Sequence, residues 1–181
     1  MVYFEDIHGK YVVLRHVKES DAEFILKLRT NKKYNKYLNA TSDDINLQYS
    51  WISNQQKREG DYYFVIMNSL GQSVGLISLY DICVNKQTAY CGRWISEGNA
   101  FENLEAVKLI HEFGFYKLGL KSVYTQTVKE NISVVSFWKR FGGYFDGYIY
   151  IEPFVLHRNV VEEETYSKEI VTRISKLLYK K

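Results

Sequence analysis

Two predicted helices that stop at glycines bracket one predicted strand between Tyr90 and Gly142, and this order constrains the fold most. The run Arg93–Ser96 ends a strand, and the turn after it leads into a helix predicted over Phe101–Leu118, with Gly119 directly after its end. The strand Ser122–Val128 follows, and a second helix is predicted from Asn131 to Gly142. A strand that enters a helix through a short turn brings the helix N-terminus to the sheet edge.

The turn before the first of these helices has the composition of an anion site. Gly98 has no side chain, so an anion can approach its backbone closely, and the following N–H groups are those that a helix leaves unpaired. The positive end of the helix dipole points at the same place. The same residues also fit an ordinary strand-to-helix turn, and the pattern around Asn131 favours the anion site.

These residues resemble the GNAT family of acetyl-CoA-dependent N-acetyltransferases, in the branch with ribosomal-protein N-terminal and amino-sugar acetyltransferases. Gly98-Asn99-Ala100 stands where that family has its Gly-x-Gly/Ala pyrophosphate loop. The stretch Asn131–Gly142 is similar to the Asn-led helix of the family that ends in glycine. The resemblance covers roughly residues 11 to 150.

The resemblance implies a mixed α/β (α+β) fold with a central, mostly antiparallel sheet and flanking helices. The fourth and fifth strands of the family, here 92–96 and 122–128, would splay apart and admit the pantetheine arm of acetyl-CoA (coenzyme A). A backbone N–H of the first strand would polarise the thioester carbonyl. The implied cofactor-binding residues are Trp94, Ile95, Ser96, Gly98, Asn99, Ala100, Phe101, Asn131 and Trp138.

Two positions depart from the family pattern. Ile95 stands where a Gln or Arg usually precedes the loop glycine, and Trp138 stands where a Tyr often acts as general acid. Because an indole has no titratable proton, we interpret Trp138 as a wall of the acyl pocket. These departures also keep open a GNAT domain that binds coenzyme A without catalysis.

Three residues are candidates for the general base, each able to hold water or the amine if it lines the cleft. Related enzymes often have a Glu where this chain has Tyr90, and Glu97 and Asp81 are the nearest carboxylates. Each of the three also fits a solvated or strand-edge position. His111 lies inside a predicted helix and is interpreted as a core histidine.

The loop after the first helix is predicted to contact the acceptor, because the family covers its acceptor there. The candidates are Arg29, Asn31, Tyr34, Asn35 and Tyr37. Aromatic and amide groups suit a sugar and its base, so we expect a nucleotide-linked amino sugar. Acetylation of protein N-termini is the alternative, and a surface loop rich in turn formers fits the same residues.

Composition restricts the function classes. A chain of 181 residues with net charge +3 and no basic block before Lys180-Lys181 indicates one domain (1–181) and no nucleic-acid partner. The sequence has no apolar run long enough to span a bilayer and no signal-peptide pattern. Cys83 and Cys91 lack metal-ligand spacing. We therefore expect a cytoplasmic enzyme without a metal or membrane contact, acting on a small-molecule amine, and leave a homodimer open.

The rest of the chain alternates short strands and helices. A first strand is predicted at 11–15, a helix behind a capping box at 20–23, and a second helix capped within Thr41–Asp44. Strands at 62–67 and 73–80 form a hairpin, and a strand at 88–96 follows. The C-terminal part reads as strands at 144–151 and 160–167 and a helix around 170–178.

Overall fold

The computed structural model describes residues 5–179 and contains one mixed sheet. Its eight strands lie in the order β1-β2-β3-β4-β5-β6-β8-β7, and the one parallel pair among them is β5 with β6. The strands are β1 Ile7–His8, β2 Val12–His16, β3 Tyr62–Asn68, β4 Ser73–Cys83, β5 Thr88–Ser96, β6 Ser122–Val128, β7 Tyr144–Ile151 and β8 Phe154–Glu162.

Helices cover both faces of this sheet. They are α1 Ala22–Thr30, α2 Ile45–Gln56, α3 Ala100–Glu112, α4 Ile132–Phe141, α5 Glu163–Thr165 and α6 Val171–Tyr179. Ile25 and Ile52 of α1 and α2 pack in one apolar cluster with Val65 of β3. Side chains of α3, α4 and α6 pack in a second cluster with the alternate residues of β3 and β4. The sheet therefore separates two cores.

The parallel pair β5 and β6 stays together over only half its length. Thr88, Ala89 and Tyr90 pair with Ser122, Val123 and Tyr124, and no register continues beyond them. The strands consequently open into a gap toward their carboxyl ends, next to the N-termini of α3 and α4. The splay that the family resemblance implied is present.

Glu105 of α3 ties three distant segments together. Its side chain is fully buried and accepts the backbone N–H groups of Lys10, Tyr11 and Val12 at 3.0, 2.6 and 2.9 Å. The Tyr179 hydroxyl donates to the same carboxylate at 2.7 Å. Charge-assisted bonds of this kind are strong, so the segment Lys10–Val12 and α6 hold α3 in place.

Most of the strands and helices predicted from sequence are present, and two details are wrong. The predicted strand at 160–167 is instead the end of β8 followed by α5. The capping box predicted at 20–23 is not formed: Asp21 is the N-cap residue of α1, but its carboxylate caps no N–H of that helix and instead accepts the Lys18 N–H at 2.7 Å and pairs with Arg15. The helix predicted to end at Leu118 does so, and its last part, Phe113–Lys117, is a π-helical turn.

Candidate functional site

A cavity of about 330 Å³, here called the gap cavity, lies between the splayed ends of β5 and β6. Its walls come from strands β4 to β8, from α4, and from α1 with the loop that follows it. The lining residues are Arg29, Tyr37, Leu38, Asn39, Tyr80, Cys91, Gly92, Arg93, Trp94, Thr125, Gln126, Thr127, Val128, Asn131, Val134, Trp138, Ile151, Phe154 and Leu156.

Two buried polar atoms of the gap cavity have no hydrogen-bond partner within residues 5–179. They are the indole Nε1 of Trp94 and the hydroxyl Oγ1 of Thr125, whose side chain is almost fully buried. An unpaired buried polar group is costly unless a ligand or water satisfies it. A ligand with an amide or carbonyl group fits this donor and this hydroxyl, which makes the gap suitable for a pantetheine arm.

Trp138 forms part of the gap-cavity wall. Its ring is buried and packs against Trp94 at 5.8 Å and against His111 at 5.8 Å between ring centroids. His111 itself is completely buried, and its Nδ1 donates to the Val107 carbonyl at 2.8 Å. Burial lowers the pKa of His111 to about 4, so the ring is neutral near pH 7. The interpretation of His111 as a core residue is confirmed by this burial.

The N-terminus of α3 satisfies its own backbone donors. The Asn99 side-chain oxygen accepts the N–H groups of Phe101 and Glu102 at 2.9 and 3.1 Å, and the Glu102 carboxylate accepts the Asn99 N–H at 2.7 Å. The Gly98 N–H donates to the Ser96 hydroxyl at 3.0 Å. The expectation that these N–H groups are free is therefore wrong, because a full capping box occupies them.

The N-terminus of α4 differs. Asn131 is the N-cap residue, yet its side chain accepts no backbone N–H of the helix and instead accepts the Ser133 hydroxyl at 3.0 Å. Asn131 lines the gap cavity. Its amide therefore lies at the wall of the gap cavity, and its contact with a cofactor stays a prediction.

A second cavity of about 440 Å³, here called the helix cavity, lies under α1 and α2. Its lining residues are Ile25, Arg29, Asn39, Ala40, Thr41, Ser42, Leu47, Gln48, Trp51, Tyr63, Tyr80 and Arg93. Arg29, Asn39, Tyr80 and Arg93 belong to both cavities, so the two adjoin. Among the described residues that line either cavity, two are arginines and none is a carboxylate.

Arg93 stands where the two cavities meet, at an irregular point of β5. Gly92 pairs with Ser78 and Ile95 with Leu76, so β5 carries one extra residue there. The backbone of Arg93 has φ +50°, in the left-handed region that residues with side chains rarely adopt. Its guanidinium makes a two-pronged ion pair with Asp61, with one Nη2–Oδ2 distance of 3.0 Å.

The predicted acceptor residues divide between the cavities and the surface. Arg29 lines both cavities and donates from Nε to the Thr41 hydroxyl at 2.8 Å, while Tyr37 lines the gap cavity. Asn31, Tyr34 and Asn35 line neither; Asn31 accepts the Lys33 N–H, and Tyr34 packs against the α1–α2 core. Of the five candidates, only Arg29, in the last turn of α1, and Tyr37, in the loop after it, therefore reach a cavity.

The predicted catalytic residues lie outside both cavities. Glu97 and Asp81 are exposed, and Tyr90 stands between the rings of Tyr80 and Tyr124 at 6.1 and 5.7 Å. Tyr80 lines both cavities and was not among the candidates. Burial raises the pKa of Tyr80 to about 12, against the opposing charge of Arg93, so its phenol is protonated at neutral pH.

Ile95 and Ser96 complete the strand end. The Ile95 side chain is buried in the α1–α2 core, which explains how the chain accommodates an apolar residue where the family has Gln or Arg. The Ser96 hydroxyl donates to the Val74 carbonyl at 3.2 Å. Both side chains are therefore used within the protein, and only their backbone groups are candidates for a ligand.

Two classes of feature are missing from the described part of the chain. Residues 5–179 contain no helix with the length and apolarity needed to span a bilayer. In the same range, no three His, Cys, Asp or Glu side chains gather as a metal site would require.

The model of the acetyltransferase (GNAT) domain family matches residues 12–143 of the chain. No curated protein matches this chain by sequence. Among solved structures, apo FdhC, described as a nucleotide-linked sugar GNAT, is 29% identical, with a TM-score of 0.81 over 94% of this chain and 97% of that one.

More distant structures share the fold. A GCN5-related N-acetyltransferase from Brucella melitensis is 14% identical, with a TM-score of 0.84 over 98% of this chain and 87% of its own. A variant of the spermidine N-acetyltransferase SpeG from Vibrio cholerae is 17% identical, with a TM-score of 0.76 over 88% of this chain and 98% of its own. The mixed α/β architecture described above is the GNAT fold.

Proposed function

This chain belongs to the GNAT acetyltransferase family, and we propose that it transfers the acetyl group of acetyl-CoA to the primary amine of a nucleotide-linked amino sugar. The observation that carries the proposal is the charge of the two adjoining cavities. Their lining contains Arg29 and Arg93 and no carboxylate. A polyamine or a basic peptide would meet no counter-charge there, whereas an acceptor with a diphosphate would.

Arg29 is the cation available to such an acceptor. Arg93 is neutralised by Asp61, but Arg29 forms no ion pair within residues 5–179 and donates only to a neutral hydroxyl. Arginine binds phosphate oxygens with directed hydrogen bonds. The rings of Trp51, Tyr63 and Tyr80 offer apolar faces for a sugar in the same cavity.

The gap cavity is the proposed site of the donor. Trp94 and Thr125 supply polar atoms that have no hydrogen-bond partner within residues 5–179. Asn131 supplies an amide that caps no N–H of its helix and accepts the Ser133 hydroxyl. Acetyl-CoA supplies the activated acetyl thioester, and the β5 backbone at the bulge supplies the N–H that orients its carbonyl. The capped α3 N-terminus would accept the diphosphate of the donor after Asn99 releases Phe101 and Glu102.

Proton transfer is assigned to solvent and Tyr80. The amine must lose a proton, and no carboxylate of the described residues lines the cavities, so water accepts it. Tyr80 is protonated and lies in both linings, which suits a proton donor to the departing thiolate. The similarity to FdhC supports a nucleotide-linked sugar as acceptor.

The test is thiol release from acetyl-CoA against a panel of amines. The panel contains nucleoside diphosphate 3-amino and 4-amino deoxysugars, the same sugars without the nucleotide, peptides with free N-termini, and spermidine. We expect kcat/KM on a nucleotide sugar to exceed that on the peptides by at least about a hundredfold. Faster turnover on peptides contradicts the sugar assignment, and no turnover on any amine would support a non-catalytic binding domain.

Arg29→Gln sharpens this test. If Arg29 binds the diphosphate, the variant raises KM for the nucleotide sugar about tenfold and leaves KM for the free amino sugar unchanged. An equal loss on both acceptors would assign Arg29 to the sugar or to the loop structure.

A further inference from the structure

We propose that the ion pair of Asp61 and Arg93 is a clamp that holds the β5 bulge in its strained conformation and so positions the backbone beside the reacting thioester. Arg93 and Asp61 are in this sense positioning residues. The inference rests on the proposed function, because it assigns the bulge to the donor carbonyl. It adds a device that sets the geometry of that backbone.

The first observation is that the strained backbone and the clamped side chain belong to one residue. Arg93 has φ +50°, and it sits in the segment of β5 that carries one residue more than β4. Such conformations persist only where surrounding contacts determine them, and they concentrate at functional sites. The other described non-glycine residues with positive φ, Asp81 and Gln87, are exposed and line neither cavity.

The second observation is that β5 has no partner on one side at this point. Its pairing with β6 ends at Tyr90 and Tyr124, so Arg93 and Trp94 face the open gap. A strand edge without a ladder is free to change its local conformation. Something other than β6 must therefore fix the bulge.

The third observation is that the Arg93 side chain reaches three other elements. Its guanidinium lies 5.4 Å from the Trp51 ring of α2, 5.6 Å from the Tyr63 ring of β3 and 4.5 Å from the Tyr80 ring of β4. Planar guanidinium groups stack on aromatic faces. These contacts fix the plane of the side chain.

Asp61 fixes the end of the same side chain. It accepts both Nη groups of Arg93, and the Gln55 amide of α2 donates to its carbonyl at 2.8 Å and to its carboxylate at 3.2 Å. The side chains of Arg93 and Asp61 are only 20% and 8% exposed, so water screens the pair weakly. The bulge is thereby connected to α2, which covers the helix cavity.

The chain contains a matched control. Arg15 and Asp21 form a second two-pronged ion pair, at 2.8 and 3.0 Å, with side chains that are 20% and 10% exposed. This pair has the same residue types and similar burial, but it lines neither cavity. Any effect of breaking a half-buried Arg–Asp pair on general stability should therefore appear in both.

The experiment compares Asp61→Asn with Asp21→Asn, using acetyl-CoA and the fastest amine of the panel. We expect Asp61→Asn to lower kcat at least about tenfold, with less than a threefold change in either KM. In a ¹⁵N–¹H NMR spectrum of the ligand-free Asp61→Asn variant, the backbone amide signal of Trp94 should be shifted from its position in the parent protein. Asp21→Asn should lose stability without either effect.

Two variants of Arg93 complete the set. Arg93→Lys keeps the charge but loses the paired donors and the planar stacking, and Arg93→Gly permits positive φ without the clamp. Both should lower kcat as Asp61→Asn does. Parental kcat in Arg93→Gly, or equal losses of kcat in both Asp variants, would overturn the proposal.

The NMR readout separates this proposal from the acceptor assignment. If the parent acetylates none of the amines, the proposed function fails. The clamp is then still tested by the NMR signal of the Trp94 backbone amide. A Trp94 signal that is unchanged in Asp61→Asn would then reject the clamp.

Discussion

Two helices begin beside the gap with an asparagine at the N-cap, and they use that residue differently. In α3, Asn99 accepts two backbone N–H groups of its own helix, and Glu102 completes the capping box. In α4, Asn131 accepts none and lines the gap cavity. The comparison teaches that residue type at a helix start does not reveal whether the cap serves the helix or a ligand.

The two helix starts therefore predict opposite consequences of the same substitution. Loss of Asn99 should reduce stability and leave donor binding intact, because an anion can replace the cap. Loss of Asn131 should reduce donor binding and leave stability nearly intact.

The largest expected effect is on α3, from Gly98→Val. A Cβ at Gly98 would lie 2.9 Å from the Glu102 carboxylate and 3.1 Å from the Ser96 hydroxyl. A branched side chain would therefore distort the turn and block an anion from the helix start. We expect acetyl-CoA affinity to fall about 30-fold, roughly 2 kcal/mol, in calorimetric titration.

Gly98→Ala is the matched control, since its single methyl group adds less bulk beside the Glu102 side chain and the Ser96 hydroxyl than the branched side chain of Val. It should lose less affinity than Gly98→Val. Equal acetyl-CoA affinity of Gly98→Val and the parent would place the donor diphosphate away from α3 and contradict the role of the α3 N-terminus in donor binding.

The second effect is on α4, from Asn131→Ala. The Asn131 side chain makes no capping bond to its helix, so its removal should change the midpoint of thermal unfolding very little. Acetyl-CoA affinity should fall about tenfold, close to 1.4 kcal/mol for one lost hydrogen bond. A large loss of stability with unchanged affinity would mean that Asn131 serves the helix after all.

The sequence predicted the elements around the gap because their signals are local. Glycines mark the helix ends, as at Gly142 with φ +122°, and asparagines mark helix starts. Alternating apolar residues mark the strands. The splay of β5 and β6, and the positions of Asn131, Trp94 and Trp138 beside the gap, came from the resemblance to the GNAT family and not from these local signals.

The remaining site residues depend on contacts between distant segments. Asp61 and Arg93 are 32 positions apart and meet only because β3 and β5 flank β4. The positive φ of Arg93 has no sequence signal, since it arises from one extra residue in the β4–β5 register. Nothing local distinguishes Tyr80 from the other tyrosines, so sequence reasoning did not select it.

The third effect is a loss of stability without a loss of donor affinity, and we expect it from Asn99→Ala in α3. The variant removes both hydrogen bonds to Phe101 and Glu102, and N-cap losses of this kind cost about 1 kcal/mol of unfolding free energy. Urea unfolding measures this loss. Acetyl-CoA affinity should stay within about twofold of the parent or rise, because the backbone donors no longer have to be released. A marked fall in affinity would show that Asn99 itself binds the donor.

The smallest effect tests whether the gap, like α4, keeps polar atoms for a ligand. Thr125→Val replaces a buried hydroxyl that has no partner within residues 5–179 by a methyl group of similar size. Because no hydrogen bond is lost, the unfolding free energy should be unchanged or higher. KM for acetyl-CoA should rise about threefold if the hydroxyl pairs with the donor arm, a difference of roughly 0.6 kcal/mol. Parental KM together with higher stability would mean that Thr125 is a packing residue. Trp94 and Asn131 would then be the remaining candidates for polar contact with the donor.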